Sequence, residues 1–181
     1  MIDQYLKSLA KVLAIGAAFA TLPFFASMAD LQPPWPPSIG PVSAALILAA
    51  SLIVWEWTRK SAVRHRRRWI LLGIALAVIG LLAYLTLYSI FIENMPQGGR
   101  VVRGYECTRR ALEVYGDACP DLPRDALQDS EWEALVLWTR SSVTIARMSL
   151  AVSWLLWVAG LIACLGAIVA GRKFSGRAAK G

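Results

Sequence analysis

Two stretches of the chain, 69–92 and 148–171, each run for 24 residues without a charged side chain. About 20 consecutive apolar residues are enough to cross the hydrocarbon core of a bilayer as a helix. The composition agrees, since 57% of the 181 residues are hydrophobic. It excludes a water-soluble enzyme, a disordered chain and a secreted disulfide mini-protein. Continuous apolarity without strand-like alternation also excludes an outer-membrane barrel.

Two further apolar segments, 9–29 and 38–57, complete a set of four predicted spans. Backbone polar groups in hydrocarbon must be satisfied internally, so each span is predicted to be a helix. The predicted fold class is an all-α integral membrane protein: a four-transmembrane-helix bundle with a small, disulfide-stapled, mainly helical exterior cap between helices 3 and 4. Segment 9–29 has an alternative interpretation as a cleavable signal peptide, because Ser27-Met28-Ala29 resembles a cleavage site.

The distribution of lysine and arginine predicts the orientation. Twelve of the 19 basic residues lie in the two terminal tails and in loop 58–68, whereas segment 93–147 has seven arginines and nine acidic residues. The positive-inside rule therefore puts both termini and loop 58–68 in the cytoplasm, and 93–147 outside. The predicted domains are 1–92 with helices 1–3, the cap 93–147, and 148–181 with helix 4 and a basic tail. A cell inner membrane is the predicted location.

A group of basic and tryptophan side chains near the inner interface is predicted to contact anionic lipid headgroups, because both residue types concentrate there. The group consists of Arg64, Arg66, Arg67, Arg68, Trp55, Trp57 and Trp69. Control of topology explains the arginine run without a nucleic-acid partner, and none is predicted. His65 is the single histidine, so neither a metal site nor another cofactor is expected.

The cap contains Cys107 and Cys119, which are predicted to form a disulfide in an oxidising compartment. Residues 108–115 between them favour a short helix ended by Gly116. Such a bridge is expected to stabilise the fold by roughly 3 kcal/mol. Two alternatives stay open, namely a redox-active pair and unpaired thiols. Cys164 lies inside the last span and is expected to pack as a small apolar residue.

Two features predict how the last span begins. Ser130-Glu-Trp-Glu133 matches a capping box. No glycine or proline occurs between Leu127 and Gly160, so one long helix is predicted from Ser130 through the fourth span. Arg147 would then lie at the outer membrane boundary, either reaching for headgroups or contacting a partner.

Small residues indicate how the helices pack. A row at four-residue spacing in the last span consists of Ala159, Ala163, Ala167 and Gly171, and a second row consists of Gly160 and Cys164. Such rows form helix–helix interfaces, here either within the chain or between copies. The tyrosines of the third span, Tyr84 and Tyr88, lie level with Trp154 and Trp157. They are expected to form aromatic packing, with a ligand pocket as the alternative.

Four helices with a cysteine pair in the second exterior connection resemble the quinone-reducing disulfide oxidases of membranes. Those enzymes need a second cysteine pair in the first connection, and residues 30–37 contain none. We therefore expect a non-enzymatic subunit that forms oligomers or joins other membrane subunits. The cap and the segment Pro34-Trp35-Pro36 of the first connection would form its outer surface. The alternative is a homo-oligomeric channel or permeabilising effector with a narrow apolar pore. The third possibility is a thiol–disulfide redox protein.

Overall fold

The computed structural model describes residues 10, 13–14, 16–18, 20–28, 31–36, 39–58, 63–96 and 98–171. The chain is mostly helical. In chain order the elements are α1 (Leu22–Met28), α2 (Ile39–Thr58), α3 (Val63–Phe91), β1 (Ile92–Asn94), β2 (Arg100–Val102), α4 (Arg109–Tyr115), α5 (Arg124–Asp129), α6 (Ala134–Leu137) and α7 (Arg140–Gly171). A 3₁₀ turn over Gly116–Ala118 follows α4.

Three helices are long and apolar enough to cross a membrane. The qualifying segments are Ile39–Trp57 of α2, Arg67–Phe91 of α3 and Arg140–Ile168 of α7. They coincide with the second, third and fourth predicted spans, which are confirmed as helices. Most of the first predicted span, 9–29, is described, and its described residues are helical apart from a turn at Thr21. Six of its positions lie outside the described residues, and α1 is the longest continuous helix described within it. A fourth span therefore stays a prediction.

The chain divides into two compact units. The first, which we call the helical unit, comprises Met1–Gln32, Ser38–Leu81 and Leu155–Gly181. The second, which we call the stapled unit, comprises Pro33–Pro37 and Leu82–Trp154. Helices α3 and α7 contribute residues to both units.

Close backbone approach between α3 and α7 holds the helical unit together. A β-carbon on Gly160 would stand 2.7 Å from the Cα of Ala77, and one on Gly80 would stand 2.9 Å from the Cα of Trp157. Any larger residue at either glycine would therefore push the two helices apart. This is the small-residue packing by which helices associate in lipid, where water supplies no hydrophobic driving force.

The predicted row of small residues on α7 is partly used inside the chain. Ala163 and Ala167 are buried, with 8% and 0% of their surface exposed. Ala159 is exposed. Gly171 is the last residue of α7, and the structure does not describe how far it is buried. Two members of the row thus pack within the helical unit, while self-association through this row stays a prediction.

The stapled unit begins with a short hairpin that directly follows α3. Strands β1 and β2 are antiparallel, with Ile92 opposite Val102 and Asn94 opposite Arg100. Gly98 and Gly99 have φ values of 83° and 110°, which favour glycine because a Cβ would clash there. Gly98 and Gly99 therefore form part of the hairpin turn.

Aromatic side chains pack in the part of the stapled unit that α3 and α7 supply. The rings of Tyr84 and Trp154 meet edge to face with centroids 5.3 Å apart, and Tyr84 and Tyr88 are 5.8 Å apart. Tyr84 and Trp154 are each only 2% exposed. Edge-to-face contact is a favourable arrangement of aromatic rings. These residues therefore form the aromatic packing that the sequence predicts.

The prediction of one continuous helix from Ser130 is wrong. Ser130 ends α5 instead of starting a helix: its N–H donates to the carbonyl of Ala126, and its hydroxyl donates to the carbonyl of Leu127. Glu131 and Trp132 follow with φ values of 52° and 63°, which break the helical path. The final helix begins only at Arg140.

Contacts with a distant segment explain this late start. Cys107 and Trp138 form an isolated antiparallel bridge, and the Thr139 N–H donates to the carbonyl of Glu106 over 2.9 Å. Both contacts hold residues 138–139 in an extended conformation. Tertiary pairing thus overrides the local helical preference of the sequence.

Candidate functional site

The stapled unit is organised around one disulfide. Cys107 and Cys119 are bonded, with their Cα atoms 6.3 Å apart, within the usual range for a disulfide. The enclosed helix α4 starts at Thr108, whose side chain accepts a hydrogen bond from the N–H of Ala111, and ends at Gly116 with φ 49°. The predicted disulfide, the short helix and its glycine end are therefore all confirmed.

Trp138 lies at the centre of this unit and is fully buried. Its indole Nε1 donates to the carbonyl of Pro120 over 3.2 Å, directly after the disulfide. The Thr108 N–H donates to the carbonyl of Leu137 over 2.9 Å. The disulfide joins the two ends of the α4 segment, and the hydrogen bonds join residues 137–138 to both of those ends, so the segment before α7 is fixed against α4.

Gly104 provides the space that Trp138 needs. A β-carbon on Gly104 would stand 2.7 Å from the Cβ of Trp138 and would also clash with the hydroxyl of Ser142. The Ser142 hydroxyl donates to the carbonyl of Glu106 over 3.2 Å. Glycine at this position lets the chain after β2 pass directly over the start of α7.

An acidic residue of the hairpin binds two arginines. Glu93 accepts from Arg103 over 2.8 Å and from Arg124 over 2.5 Å, and its side chain is 16% exposed. One contact lies within the hairpin region, and the other reaches the first residue of α5. The network therefore connects two parts of the stapled unit that are distant in sequence.

Apolar side chains remain exposed on two short helices of this unit. Leu112 and Val114 of α4 are 50% and 67% exposed, and Leu135 and Val136 of α6 are 53% and 40% exposed. The two helices contact each other, and the Thr108 hydroxyl at the start of α4 donates to the carbonyl of Val136 over 2.9 Å. We call these four exposed apolar side chains on two contacting helices the α4–α6 surface.

A cavity of about 430 Å³ opens in the same unit, and we call it the arginine pocket. Its charged lining residues are Arg100 of β2, Arg147 of α7 and Glu133. Trp35 and Trp132 supply aromatic walls. Sequence reasoning missed this pocket, because four separated segments build it. The available signals were Trp35 between prolines and Arg147 immediately before a charge-free stretch.

The residues predicted to contact headgroups differ in exposure. Trp57 is 73% exposed, whereas Trp55 is only 6% exposed. A side chain buried to this extent by its own chain offers little surface to lipid, so Trp55 acts mainly in packing. Trp69 is half-buried, and its Nε1 donates to Nε2 of His65 over 2.8 Å.

The basic members of that group are mostly open to their surroundings. Arg64, Arg67 and Arg68 are exposed on the first turns of α3. The side chain of Arg66 lies outside the described residues. The exposed arginines are accessible to anionic headgroups, and contact with lipid stays a prediction.

Metal ligands and the free cysteine are the remaining candidate groups among the described residues. Those residues include no group of three or more His, Cys, Asp or Glu side chains that could hold a metal ion. Cys164 is the free cysteine, and its thiol donates to the carbonyl of Ile70 over 3.4 Å. No protein-family model, curated protein or solved structure matches the chain significantly. The fold and the stapled unit are therefore the basis for any functional conclusion.

Proposed function

We propose that the chain is a non-enzymatic polytopic membrane protein that works as a subunit of a membrane assembly, made either of its own copies or with other membrane subunits. The observation that carries this proposal is the α4–α6 surface. Leu112 and Val114 alternate on α4 with charged residues such as Glu113, so this helix does not lie in hydrocarbon. Apolar side chains grouped on a water-facing surface are typical of protein–protein contacts.

The proposal puts the protein in the cell inner membrane, with both termini and loop 58–68 in the cytoplasm. The support is the concentration of 12 of the 19 basic residues in those segments. Arg64, Arg67 and Arg68 would contact anionic headgroups there. The stapled unit would then face the oxidising side, which suits its disulfide.

The assembly is tested on full-length protein extracted from membranes with its surrounding lipid in polymer nanodiscs. Native mass spectrometry is expected to find more than one copy, or one copy with other subunits. A combined Leu112→Ser and Val114→Ser variant is expected to release the single chain, while Glu113→Gln serves as the control and keeps the assembly. A wild-type chain that is monomeric at every concentration would contradict the proposal.

Ion flux separates this function from a pore. Purified protein in sealed liposomes at high density is expected to leave them impermeable to small ions. Flux that rises with protein density and requires a closed ring of copies would replace the proposal with a channel function.

A further inference from the structure

The arginine pocket has the size and lining of a small-molecule site. Its volume of about 430 Å³ falls within the 300–1,000 Å³ range of ligand pockets. Its walls combine apolar and aromatic side chains with a few charged groups. With this combination the apolar walls can pack against the carbon atoms of a ligand while the charged side chains bind its charged group.

Arg147 contributes a polar atom that the protein itself does not satisfy. Its Nε is buried and has no hydrogen-bond partner among the described residues. A buried donor on a charged group is costly unless it meets an acceptor. Arg147 lines the pocket, so an anion bound there would neutralise its guanidinium charge and offset part of this cost.

Arg100 is held on the opposite, hairpin side of the pocket. It lies in β2 opposite Asn94, and its guanidinium donates to the hydroxyl of Tyr88 over 3.5 Å. Tyr88 lies in the last turn of α3. Arg147 lies directly before the charge-free stretch 148–171 of α7. Arg147 thus lies at the end of an apolar segment and Arg100 contacts a residue at the end of another, and lipid headgroups are found at such ends in a bilayer.

The charges of the lining select among anions. Two arginines and Glu133 give the pocket a formal charge of +1. A singly charged phosphodiester balances this charge, whereas a phosphate dianion would leave an excess of negative charge. Arginine guanidinium groups suit phosphate oxygens because they can donate two parallel hydrogen bonds.

Trp132 is brought to the pocket by an unfavourable backbone. It and Glu131 both have positive φ values, 63° and 52°, although neither is glycine. Hydrogen bonds hold this conformation, with the Trp132 N–H donating to the carbonyl of Leu127 over 2.8 Å. Backbone strain of this kind persists where surrounding structure enforces it, often at binding sites. Trp132 and Trp35 can flank the glycerol and upper chain carbons of an amphiphile.

We infer that the arginine pocket binds a phosphodiester group, with Arg147 and Arg100 holding the phosphate oxygens and Trp35 and Trp132 packing on the attached carbon atoms. The diester can come from a phospholipid headgroup or from a soluble glycerophosphodiester. Leu135 of the α4–α6 surface also lines the pocket. The inference rests on the two arginines and two tryptophans, and the assembly is tested at Leu112 and Val114, so the two proposals are tested separately.

The test uses the full chain, delipidated in a maltoside detergent, and follows its melting temperature. Three probes are added: short-chain phosphatidylglycerol, the diacylglycerol with the same chains, and glycerophosphoglycerol. Phosphatidylglycerol is expected to raise the melting temperature because ligands that bind only the folded state stabilise it. The phosphate-free diacylglycerol is expected not to. A shift with glycerophosphoglycerol identifies a soluble diester as sufficient, and a shift with the lipid alone identifies the headgroup. No shift with either phosphate-containing probe overturns the inference.

Substitution of Arg147 distinguishes binding from a structural role. Arg147→Met keeps the packed aliphatic stem and removes the unsatisfied donor, so the ligand-free melting temperature is expected to stay unchanged or rise. Phosphatidylglycerol affinity is expected to fall at least about 30-fold. Arg140→Met, an exposed position one heptad earlier on α7, is the matched control and keeps the affinity.

A second variant tests whether Arg147→Met weakens binding only indirectly. Arg100→Gln is expected to weaken the same binding while leaving the protein folded. If Arg147→Met lowers the ligand-free melting temperature and leaves the ligand-induced shift intact, Arg147 is structural and the inference is wrong. Equal loss of affinity in Arg140→Met would also overturn it, because the effect would then be general charge attraction.

Discussion

The disulfide should control how often the stapled unit opens, and its removal gives a measurable magnitude. The bridge joins residues 12 positions apart. Closing a loop of about this length stabilises a fold by about 3 kcal/mol in the chain-entropy account. A free-energy loss of about 3 kcal/mol increases the population of the open state on the order of 100-fold.

Hydrogen exchange measures this opening directly. In a combined Cys107→Ser and Cys119→Ser variant, the amides of Thr108 and Thr139 should exchange on the order of 100-fold faster. In the intact protein these two amides donate to the carbonyls of Leu137 and Glu106, so both join the segment around Cys107 to residues 137–139. Trp138 in that segment also donates to the carbonyl of Pro120, next to Cys119, so opening the loop that the disulfide closes should loosen both contacts. Amides of α2 should keep their exchange rates, because α2 belongs to the helical unit.

The control for this experiment is Cys164→Ser, which changes a cysteine outside the disulfide. It should leave the exchange of Thr108 and Thr139 unaltered, and reduction of the wild type should reproduce the double variant. Exchange at these two amides within a factor of about three of the wild type would refute the reasoning. The hydrogen bonds and Trp138, and not the disulfide, would then hold the unit closed.

Two further predictions concern packing. Gly160→Val should lower the free energy of unfolding in detergent by about 1–3 kcal/mol, because the added carbons meet the backbone at Ala77. Ala159→Val, at the neighbouring exposed position, should change thermal stability little, and equal effects would contradict the α3–α7 contact. Trp138→Phe should lower the free energy of unfolding by at least about 1 kcal/mol, measured by denaturant unfolding, because it removes the hydrogen bond to Pro120 and leaves a cavity at a fully buried position. An unchanged free energy of unfolding in this variant would contradict the role of Trp138 in holding the stapled unit together.

The spans could be predicted because lipid imposes a simple rule on sequence. A helix in hydrocarbon must be apolar along its whole length, so charged residues mark its limits. The predicted span 38–57 and the helix Ile39–Thr58 differ by one residue at each end. The small helix α4 was also predictable, since Thr108 and Gly116 mark its two ends locally.

The stapled unit was less predictable because distant segments determine it. Ser130 has the local pattern of a helix start, yet it serves as the end of α5. The competing contact joins Cys107 and Trp138, which are 31 positions apart in the sequence. Such a contact cannot be recognised from the residues next to Ser130. The arginine pocket depends on the same arrangement, which brings Arg100 and Arg147 to one cavity.

The central proposal is that the apolar helices lie in lipid, with the disulfide-linked segment Cys107–Cys119 and loop 58–68 on opposite sides of the membrane. Labelling with a membrane-impermeant thiol reagent tests it in intact spheroplasts, on a Cys164→Ser background. Asp129→Cys, at an exposed position of α5, should be labelled at once, whereas Arg64→Cys, at an exposed position of α3, should be labelled only after the membrane is opened. Labelling of both positions in sealed spheroplasts, or the reverse order, would contradict the account.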